Sequence, residues 1–440
     1  MPVKIAILGG GGFRVPIVYE ALVRQLDRLA VDEVALFDTD QRRVAAIAAV
    51  LEQLNAPVRR PPRVRRCDRL VDALGGADFV FSAVRVGGLS GRTGDERRAL
   101  AAGVLGQETI GAGGVTYGLR TVPVATRIAE ACAAVAPDAW FVNFTNPAGM
   151  VTEAISRVLG DRVIGICDSP AGLCRRIAVA LGVDERDAWF DYVGLNHLGW
   201  VRQVLVDGRD RLPGLLVDEP RLARIEEGRL FGADWLQTLG AIPNEYLYYF
   251  YCADVAVEAI RAEPETRGEY LLRQQSAFYD AVEADPAAAL TLWRQARAER
   301  DSSYMKETRP ADQERDADDI QLGGYERVAL ALMNGIAGNE QSTIILNVRN
   351  RHALSDLDDD AVVEVPCLVG ANGAQPLSAR RLDEHMSGLI RAVKSVERQT
   401  IEAALSGSRR AAVRALADHP LVASVGAARR ILADYAWPEA

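Results

Sequence analysis

A doubly wound α/β sheet followed by an α+β part is the fold that this sequence predicts. Three observations carry the prediction. Short apolar runs recur through the first 200 residues, and stretches with a helical apolar face separate them. The first run, Val3-Lys4-Ile5-Ala6-Ile7-Leu8, enters four consecutive glycines and then a helical pattern. Strand alternating with helix is the order that builds a parallel sheet covered on both faces.

Taken in order, Val3 to Leu8 is a buried strand, Gly9-Gly10-Gly11-Gly12 a turn, and Val15 to Val23 a helix. That layout sets backbone N–H groups at a positive helix end, where a pyrophosphate binds. The pattern G-x-G-x-x-G is incomplete, because Arg14 stands at the third glycine position. A plain tight turn is therefore the alternative. The next strand, Glu33-Val34-Ala35-Leu36-Phe37, ends in Asp38. An acid there holds the adenosine ribose of NAD, and it is equally compatible with a helix start near Asp40. Arg42 and Arg43 follow closely enough to meet the 2′-phosphate of NADP, but the acidic strand end favours NAD. Gly9, Gly10, Gly11, Gly12, Phe13, Asp38 and Arg42 are thus the expected cofactor contacts. Further strands are expected at 78–83 and 139–143, with a helix ending at Val135 before the latter. Residues 1–170 are read as a Rossmann-like domain of the lactate/malate dehydrogenase type, and 171–440 as a catalytic and oligomerisation α+β domain.

Composition narrows the function. With 440 residues, 49% hydrophobic and 25% charged, the chain is an ordinary globular one, long enough for two domains. A net charge of −9 argues against nucleic acid as a partner. The one basic run, Arg59-Arg60-Pro61-Pro62-Arg63-Val64-Arg65-Arg66, is expected to be a solvated loop. No apolar stretch is long enough to span a membrane, and the start shows no signal peptide. Six cysteines without framework spacing fit reduced thiols, so a cytoplasmic location is expected.

Two residues suggest a metal. Cys167 follows the apolar run 162–166, and His197 follows 190–194. Strand ends are where open α/β sheets place their chemistry, and a thiolate with an imidazole suits a divalent transition metal. A small buried hydrophobe is the plainer meaning of a single cysteine.

Several further segments follow one another in a fixed order. They are Arg85-Val86-Gly87-Gly88 with Arg92 and Asp95-Glu96, then Gly106-Gln107-Glu108-Thr109 with Gly113-Gly114. Asn143-Phe144-Thr145-Asn146-Pro147, Ile166-Cys167-Asp168-Ser169-Pro170, Gly194-Leu195-Asn196-His197 and Pro243-Asn244-Glu245-Tyr246-Leu247 follow, with Val363-Glu364-Val365-Pro366-Cys367 and Ser395-Val396-Glu397-Arg398-Gln399-Thr400 near the end. In this order they resemble glycoside hydrolase family 4, the NAD- and metal-dependent glycosidases, and the resemblance implies glycoside cleavage without the usual two carboxylates. NAD+ would oxidise C3 of the sugar, a base would remove the C2 proton as the aglycone leaves, water would add, and the hydride would return.

By position, the resemblance makes Cys167 and His197 the ligands of Mn2+ or another divalent metal, and Tyr246 the C2 base. A free tyrosine titrates near 10, so a base role needs a neighbouring cation. Core packing in the cluster Tyr246, Tyr248, Tyr249 and Tyr251 is the alternative. Asn146 and Asp168 would meet sugar hydroxyls, with Asp168 also the acid for the departing oxygen, although Asp168-Ser169-Pro170 equally makes a good helix start. Arg92 and Arg267 would hold a 6-phosphate. The implied partner is a small phosphorylated glycoside, and the implied assembly a homodimer or homotetramer. Asp168 after the cysteine matches an α-directed 6-phospho branch, and Gln321-Leu322-Gly323-Gly324 replaces the Lys-Arg-Gly-Gly common in β-directed members. The substrate leans to a 6-phospho-β-glucoside, with α-linked or unphosphorylated glycosides as alternatives. A 2-hydroxy-acid dehydrogenase or a non-catalytic NAD-binding regulator are the readings from other classes.

Overall fold

The computed structural model of the protein describes residues 3–302 and 324–437. Its first six strands are β1 Val3–Leu8, β2 Val31–Phe37, β3 Arg63–Cys67, β4 Phe79–Ser82, β5 Trp140–Asn143 and β6 Val163–Gly165. They pair in parallel in the order β3-β2-β1-β4-β5-β6, the order of a doubly wound dinucleotide-binding sheet. Ile5, Ala6, Ile7, Leu8, Val80 and Phe81 are buried, as parallel strands covered on both faces require. The order reverses between β1 and β4, and the crevice opens there. The longer helices of this half are α1 Val15–Val23, α2 Gln41–Asn55, α3 Gly88–Ala101, α4 Gly111–Val135, α5 Ala148–Leu159 and α6 Ser169–Leu181. The first helix and the end of α4 fall where the sequence puts them.

The basic run is a partial exception. Arg63 to Arg66 belong to the edge strand β3, where Arg63 and Arg65 pair with Glu33 on β2. A cross-strand acid recruits these residues into the sheet, which local charge counting does not foresee.

The sheet continues into the second half. β7 Ala188–Leu195 and β8 Leu198–Val206 form a hairpin, and β9 Arg209–Asp210 and β10 Ile242–Pro243 extend it along β8. Late in the chain, β11 Ser342–Arg349, β12 Val362–Gly370 and β13 Gly373–Pro376 return. β11 pairs antiparallel with β6, and β12 joins β11 to β7, so among the described residues one thirteen-stranded sheet crosses the whole chain. The helices α7 Arg267–Ala284, α8 Ala289–Ser302, α9 Tyr325–Gly338 and α10 Glu384–Ser406 cover it. Among the described residues no helix is long and apolar enough to cross a membrane.

This return positions the crevice. Tyr279 on α7 donates to the Gly11 carbonyl at 2.7 Å, Trp293 on α8 to Phe13 at 2.9 Å, and Tyr325 on α9 to Arg14 at 2.8 Å. Three aromatic donors of the second half thus tie down the glycine turn of the first.

Candidate active site

One cleft of about 1620 Å3 runs from the glycine turn to the β7–β8 hairpin, and it is lined by residues of both halves. That is room for a dinucleotide and a sugar together, since ordinary ligand pockets are about 300–1,000 Å3. At one end stand Gly9, Gly11, Gly12, Phe13 and Asp38. Gly9 has φ +79°, and a Cβ on it would lie 2.5 Å from the Ala83 carbonyl, so the turn after β1 requires glycine. Gly10 supports this wall from behind, because a Cβ there would strike Leu36 at 2.9 Å. Asp38 accepts the Gly11 N–H at 3.2 Å and the Asp40 N–H at 3.2 Å, while Asp40 caps α2 through the Arg43 N–H. Arg42 does not reach the cleft: on α2 it pairs with Asp280 and Glu283 of α7, and Arg43 takes the cleft wall instead. In this structure the acids of α7, and not the cleft wall, are the partners of Arg42.

At the other end Cys167, Asp168, Asn146, His197 and Tyr246 come together on the wall. Cys167 and Asp168 cap the carboxyl end of β6, with Asp168 at the start of α6. His197 sits at the tip of the β7–β8 hairpin with φ +62°, a strained position for a residue that is not glycine and one frequent at functional sites. The Tyr246 ring lies flat on the His197 imidazole, centroids 3.7 Å apart and planes at 7°. Asn244 turns Tyr246 into the cleft by accepting its N–H at 3.1 Å. Tyr246 is half-buried at the cleft wall and packs against the core that holds Tyr248 and Tyr249.

Burial sets the electrostatics. His197, 5% exposed, is pushed down to about 3 by desolvation and stays neutral at physiological pH. Cys167 is pushed well above the usual thiol range by desolvation, then by the charges of Glu364 and Asp168. A cation in place would reverse that direction. Glu364 lies beneath, accepting from Tyr192 at 2.8 Å, Asn347 at 2.8 Å and Asn196 at 3.4 Å. Desolvation raises it to about 7, and Glu245, bonded by the Ser169 hydroxyl at 2.7 Å, likewise to about 7. Among the described residues no three His, Cys, Asp or Glu side chains converge on one point. One sulfur and one nitrogen would leave positions open for hydroxyl oxygens, as a Lewis-acid site needs and a closed structural site does not have.

The arginines divide into two groups. Arg92 gives Nε to Glu96 at 2.7 Å and Nη1 to Glu108 at 2.5 Å, and Arg85 also pairs with Glu108. Two cations there already face two carboxylates. Arg14, Arg267 and Arg300 form the second group: the Arg300 guanidinium is pushed well below the usual arginine range by desolvation, then by repulsion from Arg14 and Arg267. Arg14 lies over the Tyr325 ring at 5.1 Å, and all three line the cleft. Sequence reasoning singled out Arg267 but neither Arg300 nor the role of Arg14, whose place at the missing third glycine was the available signal. Glu108 and Glu96 stood inside motifs already quoted, without a hint that they pair with Arg92. Gln321, Leu322 and Gly323 lie outside the described residues.

Comparison with known proteins fits this geometry. The family model described as "Family 4 glycosyl hydrolase" matches residues 4–183, and that for the "Family 4 glycosyl hydrolase C-terminal domain" matches 192–422. A probable 6-phospho-beta-glucosidase of Bacillus subtilis is 32% identical over 98% of this chain and 94% of its own. The solved 6-phospho-beta glucosidase of Thermotoga maritima with manganese, NAD+ and glucose-6-phosphate superposes with a TM-score of 0.82 at 27% identity, over 98% of this chain and 97% of that one. A 6-phospho-alpha-glucosidase from gut microorganisms, solved with NAD and glucose-6-phosphate, gives 0.84 at 27% identity, over 100% and 99%. With both halves matched in order and the cleft shared between them, this chain belongs to glycoside hydrolase family 4.

Proposed function

We propose that the protein hydrolyses 6-phospho-glucosides, the β-anomer first, using NAD and a divalent cation, Mn2+ by preference. The observation that carries the reading is Tyr246 lying flat on His197 in the same cleft as the glycine turn. A dehydrogenase has no need of that pairing, and a regulator has no need to keep both Cys167 and His197. The 32% relative supports the β-anomer.

Gly9, Gly11, Gly12, Phe13 and Asp38 would hold the dinucleotide, and Cys167 with His197 the cation. Once bound, these groups supply reversible oxidation at C3 and polarisation of the C3 oxygen. The Tyr246 oxygen takes the C2 proton as the C1–O bond breaks and returns it to C2 when water adds at C1. Asp168 delivers a proton to the departing oxygen and receives one from the water that adds at C1. Asn146 Oδ1, buried without a hydrogen-bond partner among the described residues, accepts from a sugar hydroxyl. Arg267, with Arg14 and Arg300, grips the 6-phosphate dianion, which relieves the repulsion among them. Six free cysteines support a reducing compartment, the cytoplasm.

The test is a panel of aryl α- and β-glucosides, each with and without a 6-phosphate, assayed with NAD+ and Mn2+. Turnover confined to phosphorylated β-glucosides, with no net NADH formed, is expected. Stoichiometric NADH, or faster cleavage of unphosphorylated sugars, overturns it.

A further inference from the structure

Gln107 and Thr109 stand at the turn before α4, 88 residues in sequence from the histidine that Thr109 touches. The hydrogen-bond directions around them can be worked out. Two backbone N–H groups, of Thr109 at 2.6 Å and Ile110 at 3.0 Å, converge on the same atom of the Gln107 amide. Donors cannot face an NH2 group, so that atom is the carbonyl oxygen. The Thr109 hydroxyl lies 3.2 Å from this oxygen and 3.0 Å from His197 Nδ1, so its one proton goes to one of the two. With the hydroxyl proton on the Gln107 side, Thr109 Oγ1 offers lone pairs to His197 Nδ1, which then carries the ring proton and leaves Nε2 a lone pair.

We propose that Thr109, fixed by Gln107, is a positioning residue that holds His197 as the Nδ1–H tautomer and leaves the Nε2 lone pair to bind a divalent cation. The purpose of this arrangement rests on the metal centre of the proposed function; the tautomer itself does not. Ligating histidines whose second nitrogen is hydrogen-bonded are fixed in ring orientation and made more basic by that partner. Here the partner is a neutral hydroxyl rather than a carboxylate, so it orients the ring without adding charge beneath a cleft where Glu364 and Glu245 are already buried. The relay also couples the α4 side of the cleft to the β7–β8 hairpin, two elements otherwise remote in sequence.

The experiment labels the four histidines with 15N and reads long-range proton–nitrogen correlations in the metal-free protein, with His197→Ala identifying the signal. In the wild type, His197 is expected with a protonated Nδ1 and a bare Nε2. Thr109→Val keeps the side-chain shape but cannot accept a hydrogen bond, so the tautomers should mix. Mn2+ affinity, read by electron paramagnetic resonance of the unbound ion, should then weaken about ten- to a hundred-fold. Thr109→Ser should restore both readouts, which a packing role for the methyl would not do. A wild type with Nε2 protonated, or a Thr109→Val protein with unchanged tautomer and Mn2+ affinity, overturns the proposal. A wild type that takes up no Mn2+ overturns the metal centre instead, and the metal-free spectrum keeps the two failures apart.

Discussion

The two ends of the cleft are built on opposite terms. At the glycine turn the backbone is fixed: Gly9 and Gly10 N–H bond Phe37 at 2.9 and 2.8 Å, Gly12 N–H bonds Gly9 at 2.8 Å, and Tyr279, Trp293 and Tyr325 bond the turn's carbonyls. At the sugar end, Asn146 Oδ1 and Glu245 Oε2 are buried without a hydrogen-bond partner among the described residues, and three arginines repel one another. Native interiors leave few polar atoms unsatisfied, and these two lie on residues that line the cleft. One end satisfies its own hydrogen bonds, and the other leaves polar atoms unsatisfied. Strain and desolvation belong where the chemistry is, and satisfied backbone where an invariant cofactor docks.

The sharpest way to break this contrast is at Tyr246. Tyr246→Phe removes one hydroxyl and keeps the ring on His197, so fold, NAD binding and Mn2+ binding should persist. A positioned base contributes about 10²–10⁴-fold, and kcat should fall by that order. Wild-type kcat in this variant would make the tyrosine a packing residue and the sugar end as inert as any core wall.

The arginines come next. Arg300→Met and Arg267→Met should each lower kcat/KM for phosphorylated substrates by roughly ten- to a hundred-fold, the range of a hydrogen bond to a charged group at about 1.5–3 kcal/mol. Unphosphorylated glucosides should be affected little. Arg92→Met should behave differently, because it leaves the buried Glu96 with one fewer partner. Its expected signature is a lower Tm with unchanged preference for the phosphate. Equal loss on both substrate types in all three variants would sink the division of the arginines into two groups.

The same contrast explains what the sequence discloses. Elements that depend on local pattern are legible: the strand, turn and helix from Val3 to Val23, the strand ending at Asp38, and the α4 terminus at Val135. Cys167 and His197 are singled out by their places after apolar runs, and Tyr246 by the family resemblance alone. What escapes is the pairing made across long chain distances. Arg42 reads as a cofactor contact until Asp280 and Glu283, 238 and 241 residues away, claim it. Arg63 and Arg65 read as loop until Glu33 draws them into β3. The insertion of β11 and β12 between β6 and β7 has no local signature, because an apolar strand does not name its neighbour.

A pH experiment sharpens the difference between buried and exposed groups. His419 lies behind His197, beside a small cavity of about 30 Å3, and desolvation lowers it to about 4. Its folded value is below its unfolded value near 6.5, so the unfolded chain binds the extra proton between pH 4 and 6.5. The stability this group contributes is therefore present above about 6.5 and is lost as pH falls towards 4. Glu364 and Glu245, raised to about 7 by burial, take up protons on folding across the same window and oppose this, so the urea unfolding of the metal-free wild type is compared with that of a variant. His419→Gln should lower the slope of stability against pH by about one proton, roughly 1.4 kcal/mol per pH unit. An unchanged slope would show that His419 is protonated in the native state.

The smallest effect is expected at Arg42, and it tests the glycine-turn end of the cleft. The side chain is on the surface, its pairs with Asp280 and Glu283 are about half-exposed, and it points away from the wall that Asp38 and Arg43 form. Exposed ion pairs contribute about 0–1 kcal/mol, so Arg42→Ala should leave Tm nearly unchanged. NAD affinity and the preference for NAD over NADP should also stay, because the arginine held by two acids is not offered to a 2′-phosphate. Asp38→Gly is the contrasting variant: it removes the acceptor proposed for the ribose and the anchor of the Gly11 N–H together, and should cost NAD affinity while narrowing the gap to NADP. Measured by fluorescence titration of both dinucleotides, a shift in preference from Arg42→Ala as large as that from Asp38→Gly would mean that Arg42 swings from α7 into the cleft when the cofactor binds.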